Sequence, residues 1–178
     1  MTFTLYDATI VEAKLALASL DHILTEAEKH SNAASFPDAR LHEDMNPLSF
    51  QVHAATRFAE KLVARLSGRE SVEFEDKLVT FQDMHSRIQK TQELLGKADK
   101  DVVNQQGEEV APTALPSAGT MDLPGKAFAM GAAVPNINFH LSMAYAILRK
   151  EGVPLGKKDF IMPFVGEYIV KMQRCGIT

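Results

Sequence analysis

The chain reads as an all-α protein: a four-helix bundle with a long crossover between helices three and four and an added C-terminal helix. Three observations predict this. Four separate stretches repeat apolar residues at steps of three and four, the spacing that lays one stripe along a helix. Strand-like runs are short and confined to a single segment rich in proline and glycine. The 178 residues, 46% apolar and 24% charged, are enough for one buried core. Residues 1–178 are therefore expected to form one helical domain.

The first helix is expected from about Leu5, with Thr4 as its cap and Ser31-Asn32 at its close. Its stripe is Tyr6, Ile10, Ala13, Leu17, Leu20, Leu24 and Ala27. Residues 31–44, with Pro37, read as a connection. The second helix opens between Asp44 and Pro47, because proline suits a first turn and Asp44 is placed to cap it. Leu48, Val52, Ala55, Ala59, Leu62 and Leu66 form its stripe, and Gly68 marks its stop. The third helix opens with Thr80 and a carboxylate three residues later, Asp83, and turns Phe81, Met84, Ile88, Thr91 and Leu95 inward.

Residues 99–133 break the pattern. Gly107, Pro112, Pro116, Gly119, Pro124, Gly125 and Gly131 punctuate them, and no helical period survives. At roughly 35 residues this crossover exceeds ordinary helix connections. Glu109-Val110-Ala111 and Thr120-Met121-Asp122-Leu123 could pair as a small hairpin. The fourth helix then runs from about Pro135 to Lys150 and stops at Gly152. A final amphipathic piece, about 160–178, carries Ile161, Phe164, Val165, Tyr168, Ile169 and Met172 after Asp159. That piece would cover the bundle's end or meet a second subunit.

Charge narrows the partners. A formal charge of −4 and a pI near 5.9 argue against nucleic acid or an anionic membrane. No run of about 18 apolar residues is present to span a bilayer, and Met1 to Asp7 lack a signal peptide's basic and apolar regions. The lone Cys175 fits a reducing compartment, so a cytoplasmic location is expected. Gly-rich phosphate loops, a Gly-x-Ser-x-Gly nucleophile and paired catalytic cysteines are missing from the sequence.

Four segments carry a family resemblance. Asp44-Met45-Asn46-Pro47-Leu48-Ser49-Phe50-Gln51-Val52 opens helix two and Ala64-Arg65-Leu66-Ser67-Gly68 closes it. Phe81 to Thr91 reads Phe-Gln-Asp-Met-His-Ser-Arg-Ile-Gln-Lys-Thr. Pro135-Asn136-Ile137-Asn138-Phe139-His140 leads to Tyr145-Ala146-Ile147-Leu148-Arg149, and Gly152-Val153-Pro154-Leu155-Gly156-Lys157-Lys158-Asp159-Phe160 follows. Over residues 4–160 the chain resembles an uncharacterised bacterial and fungal family, domain of unknown function number nineteen-ninety-three. That family in turn resembles the DinB/YfiT-like superfamily of proposed metalloenzymes. The resemblance implies a DinB-like four-helix bundle, often a homodimer. It also implies a three-histidine metal site with one histidine from helix two and a His-x-x-x-His pair from a later helix. Here the residues four away from His140 are Asn136 and Ala144, so the pair is not completed.

The residues nominate a site of their own. His140 shares the stripe of Ile137, Leu141, Ala144 and Leu148, where an unsatisfied polar ring would cost about 1–3 kcal/mol. It must bond a neighbouring helix or face a cavity. Gln51 occupies the inward face of helix two between Leu48 and Ala55, so both could point at one ligand or bond each other. Asn136 and Asn138 precede His140 by a turn or less, and His42 and Asp44 lie in the loop at the bundle mouth. Tyr145 falls about 140° around the axis from His140 and is read as packing. His53, with Arg57 and Glu60 as same-face neighbours, reads as a solvated surface histidine.

The leading function is a small-molecule enzyme working by proton transfer between helices two and four, of isomerase, lyase or cyclase type. His140 would be the acid/base, Gln51 and Asn136 would orient substrate, and Asn138, Asp44 and His42 would line the site. No cofactor and no metal site are expected. One alternative is a non-catalytic ligand-binding or dimerisation module. The other is a metal-dependent transferase or hydrolase of DinB type, with His140 joined by His42 or His53.

Overall fold

The computed structural model describes residues 2–115 and 119–174, apart from the side chains of residues 115, 167 and 170–174. Helix α1 (Glu12–Glu28) is entered through a π turn at Asp7–Val11, and a 3-10 turn, Ala33–Asp38, follows it. Helices α2 (Leu48–Leu66), α3 (Phe81–Gly96) and α4 (Lys100–Gln106) come next. Strands β1 (Val110–Leu115) and β2 (Gly119–Pro124) form an antiparallel hairpin with Val110 opposite Pro124. A short α5 (Gly125–Phe128) and a π turn (Ala129–Ala133) run into α6 (Val134–Lys150), and α7 (Lys157–Arg174) ends the described chain.

The long helices pack through the stripes read from the sequence. Helix α2 lies against both α3 and α6, and α1 touches the same two from the other side. Between them are buried Leu17, Leu20 and Leu24 of α1, Val52, Ala59 and Leu62 of α2, Met84 and Ile88 of α3, and Ile137, Leu141 and Leu148 of α6. Each of these side chains other than Ala59 contributes about 1.5–3 kcal/mol by leaving water. α7 lies along α1, where Ser19 Oγ donates to the Phe160 carbonyl at 2.8 Å and His22 meets Asp159 at 3.3 Å.

Local chemistry sets the boundaries. Thr80 and Asp83 form a reciprocal capping box at the start of α3. Gly68, at φ 66°, closes α2: the Arg69 N–H reaches Ala64 O at 3.0 Å and the Gly68 N–H points at Arg65 O. The π turn before α6 has a cause in Pro135. Proline has no N–H for the carbonyl four residues back and its ring crowds that carbonyl. The Val134 N–H instead bonds Ala129 O, five residues back, which widens the turn just ahead of the proline.

Three expectations need correction. Asp44 is not the cap of α2: Pro47 holds that position in an extended conformation with no side-chain cap, and Asp44 pairs with His42. The segment 99–133 is not without helical structure, since Asp99 caps α4 by accepting from the Asp101 and Val102 N–H groups, and the hairpin and α5 follow. α4 buries only Val103, too little for a visible period. In α7 the residues turned to the core are Phe160 and Phe164, whereas Ile161, Val165, Tyr168 and Ile169 are exposed. Cys175 and the side chain of Met172 lie outside the described residues.

Candidate functional site

Among the described residues helices α2 and α6 make the most extensive helix pairing, and His140 faces Gln51 across it. The His140 Nδ1 is 2.8 Å from Gln51 Oε1, while Gln51 Nε2 donates to the Asn46 carbonyl at 2.9 Å. That second bond fixes the amide orientation, so Oε1 is the acceptor and His140 carries its proton on Nδ1. Nε2 is then a bare lone pair, and it has no hydrogen-bond partner among the described residues.

An aromatic collar surrounds the ring. Phe58 lies nearly parallel to it at 6.2 Å, and Phe50 and Phe139 present edges at 6.0 and 5.3 Å. The His140 residue is 9% exposed, while Phe50 and Phe139 are 39% and 53% exposed, so the imidazole sits just under an apolar rim. Burial pushes its pKa down to about 4, with the neighbouring His53 adding a smaller push in the same direction. The ring is therefore neutral at physiological pH.

His53 is the residue that sequence reasoning misplaced. It is buried, not solvated, because the connection between α2 and α3 folds over the face of α2 that carries it. Arg87 Nη1 stands 3.3 Å from His53 Nδ1 and can only donate, so Nε2 holds the proton and donates to Asp76 Oδ1 at 3.1 Å. Burial lowers the His53 pKa and the Arg87 and Arg57 charges lower it further, against the pull of Asp76. Glu60, on the same face, is likewise buried: Arg69 grips it through two nitrogens at 2.6 and 2.9 Å, and the Val72 N–H donates to it at 2.8 Å.

The other nominated residues stand apart from the His140–Gln51 pair in their bonding. Asn136 Nδ2 donates to Ala132 O at 2.8 Å, and Asn138 Nδ2 divides between Val134 O and Glu12 Oε1 at 3.3 Å each. Both help satisfy the irregular backbone at the start of α6. His42 and Asp44 form an exposed pair 2.7 Å apart, and His42 lines a broad concavity of about 760 Å³ with Arg40, Glu43 and Lys150. Tyr145 packs its ring against Phe160.

Comparison with known proteins places this geometry. Residues 5–161 match the family described as Domain of unknown function (DUF1993). The chain belongs to that family. It is also similar to the crystal structure of a DinB family member protein from Shewanella denitrificans, at 30% identity and a TM-score of 0.77, covering 88% of this chain and 91% of that one. No curated protein matches the chain.

The three-imidazole metal site that the resemblance implies does not fit the residues present. Position 144 is alanine, the Asn136 amide is spent on a backbone carbonyl, and both nitrogens of His53 are engaged, one by a guanidinium. Among the described residues no group of three or more His, Cys, Asp or Glu is placed to hold a metal ion. No helix of those residues is long and apolar enough to cross a membrane.

Proposed function

We propose that the α2–α6 face around His140 binds a small, partly apolar molecule bearing an N–H or O–H group, and that His140 Nε2 accepts that proton. The observation that carries this reading is the fixed tautomer: Gln51 holds Nδ1–H, which leaves Nε2 a lone pair beneath a rim of three phenylalanines. With its pKa lowered to about 4 the ring stays neutral at physiological pH and keeps the Nε2 lone pair as a hydrogen-bond acceptor. Isomerase, lyase or cyclase chemistry without a cofactor suits a group that accepts and returns one proton. Gln51 positions the ring, and Phe50 and Phe139 supply the apolar contact.

A melting-temperature screen of wild type and His140→Asn against small aromatic acids, phenols and enols tests it. His140→Asn keeps a donor toward Gln51 but removes the Nε2 lone pair. Ligands that raise the wild-type melting temperature and leave the variant unmoved are expected; equal shifts in both would refute the reading.

A second reading draws on the double engagement of Gln51. The chain Asn46–Gln51–His140 ties the entry of α2 to α6, as a non-catalytic module that fixes helix register would. In that case His140→Asn changes stability alone and no ligand separates the two proteins. The metal-dependent transferase or hydrolase implied by the resemblance requires bound metal in protein purified without chelator, and the donor set gives it no support. The homodimer rests on the same resemblance and is read by sedimentation velocity.

A further inference from the structure

At the far end of α2 from Gln51, a concavity of about 240 Å³ opens between the helix, the α2–α3 connection and the hairpin. Its polar wall is Lys61, Arg65, Arg69 and Ser71, and its apolar wall includes Pro112 and Phe128. Three cations share a small space in a chain whose overall charge is negative.

Their bonding differs in a way that points to a guest. Arg69 is neutralised by Glu60, as described above. Arg65 spends Nη2 on the carbonyls of Glu109 and Leu123, which pins the hairpin, and its Nη1 makes no hydrogen bond among the described residues. Lys61 makes no hydrogen bond or ion pair among the described residues. Burial, with Arg57 nearby, lowers its pKa against the more distant pull of Glu73. Arg65 and Lys61, neither in an ion pair among the described residues, thus stand beside the Ser71 and Thr113 hydroxyls and the Phe128 ring.

We propose that this concavity is a second binding site, for the phosphate group of a small phosphate monoester. A dianion matches the charges of Arg65 and Lys61, accepts from Arg65 Nη1, Lys61 Nζ and Ser71, and leaves its short organic part against Phe128 and Pro112. The volume admits a phosphate with a small organic part. The site is independent of His140.

Phenyl phosphate, inorganic phosphate and benzoate are the probes, titrated by amide NMR into wild type, Lys61→Gln and Lys61→Arg. Saturable shifts at Ser71 and Thr113 are expected, with phenyl phosphate binding more tightly than phosphate and benzoate. Lys61→Gln should weaken phenyl phosphate by about tenfold or more, Lys61→Arg should recover it, and added salt should weaken it. His140→Asn should bind as wild type does. No saturation by about 10 mM, equal affinity in folded Lys61→Gln, or benzoate binding as tightly as phenyl phosphate would each overturn the site.

Discussion

His140 and Gln51 meet at 2.8 Å between α6 and α2, and the Asn46 carbonyl on the far side of the amide determines which of them donates. The bond that satisfies a buried imidazole also exposes its second nitrogen as a lone pair.

Substitution at Gln51 should therefore do two separable things. Gln51→Leu strands both the His140 N–H and the Asn46 carbonyl, and a loss of about 1–3 kcal/mol is expected in chemical denaturation. Gln51→Glu puts a carboxylate on Nδ1–H and should raise the His140 pKa well above its present value of about 4. Imidazole NMR titration reads the change directly; an unmoved pKa would show that the two side chains do not meet.

Stability should depend on pH in a definite window. The folded-state pKa of His140 is depressed from 6.5 to about 4, and that of His53 is lowered too. An unfolded ring takes up a proton as pH falls through 6.5, whereas folded His140 resists until about 4, so the unfolded state binds more protons between those values. The contribution is complete above pH 6.5 and is lost on acidification toward 4. For His140 it amounts to at most about 3 kcal/mol. Equilibrium unfolding of wild type and His140→Asn across this range should show a flatter profile for the variant, and parallel profiles would count against the assignment.

The Glu60–Arg69 pair should be a stronger stabiliser than its position on the polar side of α2 suggests. Glu60 is 1% exposed and accepts three hydrogen bonds, while the Arg69 side chain is 34% exposed. Removing one partner of a buried pair costs about 3–5 kcal/mol, and the partial exposure of Arg69 puts this one toward the lower end. Arg69→Ala, which leaves the buried Glu60 carboxylate unpaired, should lose about 3 kcal/mol and loosen the connection over His53, seen as faster amide exchange at Val72.

Where sequence and structure agree, and where they part, follows the range of the interactions. The stripe Phe81, Met84, Ile88, Thr91 and Leu95 was legible because burial in a helix repeats locally, and Thr80–Asp83 because a cap is a four-residue event. His140 and Gln51 stood out as polar residues on apolar stripes. His53 did not, because what buries it is a connection whose Arg69, Val72 and Asp76 reach back over α2 by non-local ion pairs and hydrogen bonds. Nothing in helical spacing records such a cover. The aromatic collar was hidden for a similar reason: Phe50 and Phe58 lie off the stripe of α2 and meet His140 only once α2 and α6 pack.

Two glycines at helix ends should respond in opposite directions to alanine. Gly68 ends α2 at φ 66°, a conformation that costs an L-residue about 1–2 kcal/mol, and an added Cβ would come within 3.2 Å of the Gln106 side chain. Gly96 ends α3 without a positive φ, is exposed, and has nothing within 4 Å of where its Cβ would be. There alanine only removes freedom from the unfolded chain, a gain of about 0.4–1 kcal/mol. Gly68→Ala should thus lower the melting temperature by about 2–8 °C and Gly96→Ala should raise it by about 1–4 °C in a chain of this size. Calorimetry of the two variants decides it: a loss at Gly96 or no change at Gly68 would mean that the helix ends are not built as described.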